Sequence, residues 1–491
     1  MRRGVVAAIL AANVVSAGLG SKGDEQVNTT NWLVRTLILA VILLTACSGG
    51  AETPVPAPDS MWEGWAYDGT YTIQVDQPRA LLDTPITIRL TGLQSGQPVT
   101  LRARMGLRGQ TLESFATFAA DANGVVDVTS AAPLYGTYTQ ADGMGLLWSM
   151  WPIETETSTT GSTAQGAIDP LQVTLTAEAG EQVLASASIE RLFYDETQVA
   201  RQVVENEGLV AALFMPSGPG PHPGIVWLGG SDGGLSQGYA ALLASHGYAA
   251  LALAYFGVDP LPGELIEIPL EYCKEGIDWL KAQPAVDAQH IAVLGGSKGA
   301  ELALLLAATY PEDIQAVVAY KPSAVVWMGM PRNWQDNFRG PRSSWSQGGQ
   351  ALPFVNGTFT FELIKIVAGR PAALVSSYEG GLKDEAAVAA ATIPVENIGG
   401  PVLLLSGADD QMWPSAKMGE MVMQRLDEHG FGFRHEHLIY EGTGHGINFP
   451  YTPTTLLNTG SFLQGGTPEG TAAANADSWP KVLEFLEEAL R

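Results

Sequence analysis

Between residues 86 and 91 apolar and polar side chains alternate, with Ile86, Ile88 and Leu90 on one side and Thr87, Arg89 and Thr91 on the other. A period of two is that of a strand with one buried face. Val99–Arg104, Leu171–Thr176 and Ser186–Arg191 repeat the pattern, and Gly92–Gly96 reads as a turn. Short strands separated by turn signals predict an all-β, immunoglobulin-like sandwich over residues 66–195, interrupted by a Thr/Ser/Gly-rich loop from Glu154 to Gly166. From residue 205 to 491 the rhythm becomes strand, turn, helix. Gly224–Leu228, Ala249–Ala254, His290–Leu294, Ala316–Tyr320 and Pro401–Leu405 are continuous apolar runs, and His435–Tyr440 follows them. Such runs suit a mostly parallel sheet covered by helices on both faces. Ala240–His246 and Glu271–Ala282 are two of the helices expected between them. Residues 330–390, rich in Trp, Arg, Gly and Pro, break the rhythm and are expected to form a cap.

The N-terminus has a different pattern. An apolar run from Val5 to Leu19 follows Met1-Arg-Arg, and a second follows Arg35 and ends at Leu44-Thr-Ala-Cys47. The second run has the length of a signal-peptide core and is short for a bilayer span. Leu44–Cys47 resembles a bacterial lipobox, so residues 1–47 are expected to be a lipoprotein signal segment, with Cys47 acylated and holding the protein to the membrane outside the cytoplasm. Two tandem signal-like runs raise the reading that residues 1–33 stem from a misplaced start codon. Residues 48–65 begin small, polar and proline-rich, as a flexible tether does. The net charge of −25 excludes nucleic acid as a partner, because a phosphate backbone needs a basic face.

The candidate chemistry lies in Gly295-Gly-Ser297-Lys-Gly299, which follows a predicted strand and opens an apolar helix. Gly-x-Ser-x-Gly in that context is the nucleophile elbow of α/β-hydrolases. A twin, Gly229-Gly-Ser231-Asp-Gly233, competes with it. Strand counting separates the two. In this fold the acid follows the second strand after the nucleophile and the histidine follows the third. Counted from Ser297, those positions are the loop holding Asp409 and Asp410 and the loop Glu441-Gly-Thr-Gly-His445. Counted from Ser231, the partners come two strands too late. Ser297 is therefore the expected nucleophile, His445 the base, and one of the two adjacent aspartates the acid. Backbone N–H groups of Ser231 and Lys298 are expected to form the oxyanion hole. His435 and His437 alternate on a strand with no third ligand apparent, which favours packing over metal binding. Cys273 lacks an adjacent base and reads as a packed helix residue. No cofactor and no metal are expected.

Ordered matches along residues 70–491 resemble the acyl-CoA thioesterase / bile acid-CoA:amino acid N-acyltransferase family. They include Leu90–Leu93, Phe118–Asp121, Gly143–Met150, Gly208–Phe214, Leu251–Phe256, Ile268–Tyr272, Gly296–Leu304, Gly407–Ser415 and Gly442–Tyr451. The resemblance implies a β-sandwich followed by an α/β-hydrolase domain. It also implies Asp410 as the acid, because the family's acid lies five residues before the serine matched by Ser415. Members that conjugate acyl groups to amino acids carry a cysteine nucleophile, whereas this chain has Ser297. Four readings compete. The leading one is a serine-dependent acyl thioester hydrolase acting on acyl-CoA. An envelope carboxylesterase or amidase, or an acyl-CoA:amine N-acyltransferase, would use the same fold. A non-enzymatic lipoprotein would leave the serine, acid and histidine without purpose. Arg332, Arg339 and Arg342 in the cap are candidates to meet substrate phosphates.

Overall fold

The structure is a computed structural model that describes residues 56–153, 167–206, 208–333, 336–458 and 461–491. The signal segment and Cys47 lie outside the described residues, as does the start of the expected tether. Among the described residues no helix is long and apolar enough to cross a membrane.

The alternating segments pair as two facing sheets. Thr72–Val75, Ile88–Thr91 and Val126–Asp127 form a small antiparallel sheet. The larger sheet runs in the order Arg79–Leu81, Gln182–Leu192, Leu171–Ala179, Pro98–Leu107, Gln110–Ala119, Tyr135–Gly136, with Trp151–Ile153 also on Gln110–Ala119. Ile86, Ile88 and Leu90 point into one core with Val99, Leu101, Phe118 and Val173, while Arg89 stays outside. The period of two thus becomes one buried face per sheet.

The second core belongs to an eight-stranded sheet. Its strands are β1 (Val199–Asn206), β2 (Leu209–Pro216), β3 (His222–Leu228), β4 (Ala249–Ala254), β5 (Val286–Gly296), β6 (Ala316–Tyr320), β7 (Val402–Gly407) and β8 (His435–Tyr440). The spatial order is β1-β2-β4-β3-β5-β6-β7-β8. The pairs β1–β2 and β2–β4 are antiparallel; the others are parallel. The sheet begins at Val199, ahead of the boundary expected at residue 205. Physically, an antiparallel edge hairpin carries the same short-strand pattern as the sandwich strands before it, so periodicity alone does not part them.

Helices cover both faces. α1 (Gly238–Ser245) packs on Ile225, Trp227, Ala250 and Ala252, together with the last helix, α5 (Pro468–Leu490). On the other face α2 (Leu270–Lys281), α3 (Lys298–Thr309) and α4 (Ser415–Glu428) meet Val226, Leu228, Val293 and Val317. α3 is the most enclosed, with every residue from Lys298 to Ala308 buried. Between β6 and β7, residues 321–401 form an insertion that is longer than the expected cap. Its strand Trp345–Gln347 pairs with Ile268–Pro269, and Trp327 and Trp345 are fully buried. The apolar stretch 324–328 hid the start of the insertion, because it reads as more core. The sandwich and the hydrolase sheet share contacts: Thr454 N–H donates to Trp148 O at 2.9 Å, and Trp479 Nε1 donates to Asp83 at 2.8 Å.

Candidate active site

Ser297 lies between β5 and α3 with φ 57° and ψ −118°. A non-glycine residue held there is strained, and the surroundings must enforce it. Two features do so. Ser297 N–H donates to Tyr320 O at 2.8 Å. Gly299 packs against β3 so tightly that a Cβ on it would stand 2.2 Å from Leu228 O and 2.3 Å from Gly229 O. The elbow glycine is thus a condition for α3 to seat on the sheet.

The acid and histidine loops follow β7 and β8, and they also touch. A Cβ on Gly407 would lie 2.2 Å from Gly444 O. The carboxylates of Asp409 and Asp410 point apart. Asp409 is exposed and accepts from Gln411 Nε2 at 2.8 Å and Gly466 N at 3.0 Å. Asp410 is buried, and its Oδ2 lies 2.8 Å from His445 Nδ1. His445 Nε2 in turn lies 2.9 Å from Ser297 Oγ. Asp410 also accepts from Met412 N at 2.9 Å, Trp413 N at 3.2 Å and Ser415 Oγ at 2.6 Å. These donors fix the carboxylate, and the Trp413 ring stands edge-on to the imidazole at 6.0 Å. The imidazole is therefore held on two sides, as a group that must pass a proton without reorienting requires.

Comparison with known proteins carries the geometry further. Residues 83–206 match the family described as acyl-CoA thioester hydrolase/BAAT N-terminal region, and residues 268–491 match BAAT / acyl-CoA thioester hydrolase C terminal. Acyl-coenzyme A thioesterase 6 of Mus musculus is 31% identical over 422 residues, which cover 84% of this chain and 95% of that protein. The mitochondrial acyl-coenzyme A thioesterase 2 of Mus musculus is 31% identical over 440 residues, covering 87% and 91%. The peroxisomal succinyl-coenzyme A thioesterase of Mus musculus is 30% identical over 430 residues, covering 84% and 95%. The chain belongs to the acyl-CoA thioester hydrolase/BAAT family. It is an enzyme, a thioesterase-like hydrolase on the α/β-hydrolase fold.

The loop holding Ser231 passes over the elbow in this family member. A Cβ on Gly230 would stand 3.2 Å from Gly296 O and 3.5 Å from Ser297 Cβ. Lys298 is the first residue of α3, and the N–H groups of a first helical turn have no partner within the helix. Its side chain was not part of the sequence argument, yet it is buried and ion-paired with Glu301 at 2.7 Å. Burial pushes Glu301 up and Lys298 down, and each charge opposes the shift of the other. The signal for this pair was present, since a lysine and a glutamate three apart in an otherwise apolar helix must face something inside.

Lys321 was also missed. It follows β6 with φ 54°, and its Nζ donates to Ile447 O, two residues beyond His445, at 2.9 Å. Burial pushes its ammonium down from 10.5 to about 8, opposed by the charge of Asp410. The unfolded chain therefore binds more protons between those two values, so stability should climb as pH rises through that window. Between pH 7.5 and 10, chemical denaturation of the natural protein should show a gain on the order of 2 kcal/mol over Lys321→Met, which lacks the buried charge. Parallel stability curves for the two proteins would refute a buried ammonium.

The cap arginines have other engagements. Arg342 pairs with Glu267 at 2.7 Å and Arg339 with Asp336 at 3.7 Å, whereas at Arg332 it is the backbone N–H that donates to Glu264, at 2.9 Å. His435 bonds to Phe433 O and Asp427, and His437 to Ser406 at 2.8 Å. Cys273 is buried in α2, which pushes its thiol up to about 12. Among the described residues no group of three or more His, Cys, Asp or Glu is placed to hold a metal ion.

Proposed function

We propose that the protein hydrolyses acyl-CoA thioesters through an acyl-enzyme on Ser297. The observation that carries the reading is the relay itself, with His445 Nε2 2.9 Å from Ser297 Oγ and Nδ1 2.8 Å from Asp410. With Nδ1–H directed at Asp410, Nε2 accepts the hydroxyl proton as Oγ attacks the thioester carbonyl. The carbonyl oxygen becomes an oxyanion received by the backbone N–H groups of Ser231 and Lys298. The C–S bond breaks, His445 returns the proton to the thiolate, and coenzyme A leaves as a thiol. Water then attacks the Ser297 ester with the same histidine as base, giving free acid and restoring the serine. Asp410 holds the imidazole tautomer and stabilises the imidazolium. The substrate class is supported by the relatives, which carry acyl-coenzyme A thioesterase names over most of this chain.

A serine nucleophile directs the second half-reaction to water. An oxygen ester is less prone than a thioester to attack by amines relative to water, so glycine or taurine at millimolar concentration should not divert the acyl group. Mass spectrometry of products from an acyl-CoA panel should show one free thiol per free acid, with no N-acyl product. Substantial amide would make the protein a transferase. A second reading, an envelope carboxylesterase or amidase, is favoured by Leu44-Thr-Ala-Cys47, the resemblance to a lipobox that would carry the enzyme outside the cytoplasm on an acylated Cys47. Matched p-nitrophenyl esters and amides in the same panel separate it, since that enzyme would turn over esters or amides faster than thioesters.

A further inference from the structure

The ion pair behind the nucleophile raises a physical question. Lys298 and Glu301 are both almost wholly buried, where apolar residues of similar volume generally serve stability as well or better. Glu301 does more than neutralise the lysine. Its Oε1 accepts from Trp345 Nε1 at 2.7 Å and from Trp327 N–H at 3.1 Å, in addition to Lys298 Nζ at 2.8 Å. Every contact is an N–H donor, which suits a carboxylate. One side chain of α3 thus holds both the first residue of its own helix and two tryptophans of the 321–401 insertion.

The contacts continue to the opposite wall of the site. The Lys298 ammonium stands over the Trp345 ring at 5.4 Å, and that ring packs on Tyr255 with centroids 5.7 Å apart. The buried Tyr255 hydroxyl donates to Gly229 O at 2.5 Å and lies 3.5 Å from Gly230 O. The Gly230 carbonyl belongs to the same peptide as the Ser231 N–H. The hydroxyl proton goes to Gly229 O, so Tyr255 anchors the peptide immediately before the Gly230–Ser231 unit and fixes where that unit starts. The unit therefore reaches the loop of one oxyanion donor through Tyr255 and the helix turn of the other through Glu301.

We propose that Tyr255, Trp345 and Glu301 form the positioning unit of the oxyanion hole, setting the directions of the Ser231 and Lys298 N–H groups and tying them to the insertion. The proposal rests on the reading of those two N–H groups as oxyanion donors. These three are positioning residues, since none contacts the reacting atoms. The consequence is specific. Loosening the unit should weaken binding of the tetrahedral oxyanion far more than binding of the planar substrate, because displacement of a site group by about 1 Å costs on the order of 100-fold in rate.

The test uses Tyr255→Phe, which removes only the hydroxyl, and Trp345→Phe, which keeps an aromatic ring but removes the indole N–H and part of the buried volume, with Glu301→Gln as a third variant. Three quantities are measured on acyl-CoA: kcat, KM, and the inhibition constant of an acyl trifluoromethyl ketone, whose Ser297 adduct carries an oxyanion. We expect kcat to fall about 10- to 100-fold and the inhibitor to weaken in parallel, with KM within about threefold of the natural enzyme. A merely structural role would lower the thermal midpoint without this split. Unchanged kcat in both aromatic variants, or a lower kcat with undiminished inhibitor affinity, overturns the proposal. Should Glu301→Gln not fold, the two aromatic variants decide. Ser297→Ala, assayed alongside, separates the levels: activity surviving there would refute the nucleophile, whereas its loss with unaffected aromatic variants would refute only the positioning unit.

Discussion

Ser297→Ala should lose essentially all thioester hydrolysis and all labelling by fluorophosphonates. The expected fall in kcat is on the order of 10⁶-fold, as for removal of the nucleophile from a serine protease. The reasoning is geometric. Among the described residues Ser297 Oγ is the hydroxyl that meets His445 Nε2, at 2.9 Å, and the φ of 57° turns it out of β5 toward that partner. Among the described residues the Ser406 hydroxyl also meets an imidazole, that of His437 at 2.8 Å, but Ser406 is wholly buried within β7, and the Ser415 hydroxyl donates to Asp410. Release of coenzyme A thiol, followed with a chromogenic disulfide, gives the rate. Retained turnover with an intact thermal midpoint would move the nucleophile elsewhere.

Asp410→Asn should cost about 10⁴-fold in kcat, whereas Asp409→Asn should cost less than about tenfold. An amide at 410 would present N–H or carbonyl in place of a carboxylate and hold the wrong imidazole tautomer, an effect of that size in a serine protease. The surroundings of Asp410 sharpen the expectation. Its carboxylate accepts from two backbone N–H groups and the Ser415 hydroxyl besides His445, so an asparagine there must leave a donor facing a donor. Asp409 instead caps its own loop through Gln411 and Gly466, which makes its substitution a matter of local stability. Equal losses at both positions would leave the imidazole without an assigned acid.

The order of elements was legible because parallel strands buried on both faces must be nearly continuous apolar runs, as Ala249–Ala254 and Ala316–Tyr320 are. That order in turn located Ser297, His445 and the loop holding Asp409 and Asp410, and the resemblance singled out Asp410; the structure brings His445 within hydrogen-bonding reach of Ser297, 148 positions away, and of Asp410, 35 positions away. Strand counting applies here because parallel neighbouring strands deliver the loops that follow them to the same end of the sheet. What escaped the sequence lay in side chains whose partners come from elsewhere. Lys298 reads as the variable position of the elbow until Trp345 and Glu301 surround it. Lys321 carries no motif, and its contact with Ile447 O joins residues far apart in sequence. The first hairpin of the hydrolase sheet, Val199–Pro216, was invisible for another reason, since antiparallel edge strands look alike whichever sheet they join.

The most direct measurement is the mass of the Ser297 peptide from the natural enzyme rapidly quenched during turnover of an acyl-CoA. The account requires an added acyl group on the peptide containing Ser297, chased to free acid on further incubation. Free acid formed at full rate with that peptide never acylated, or acyl found on another residue that is competent to turn over, would contradict it.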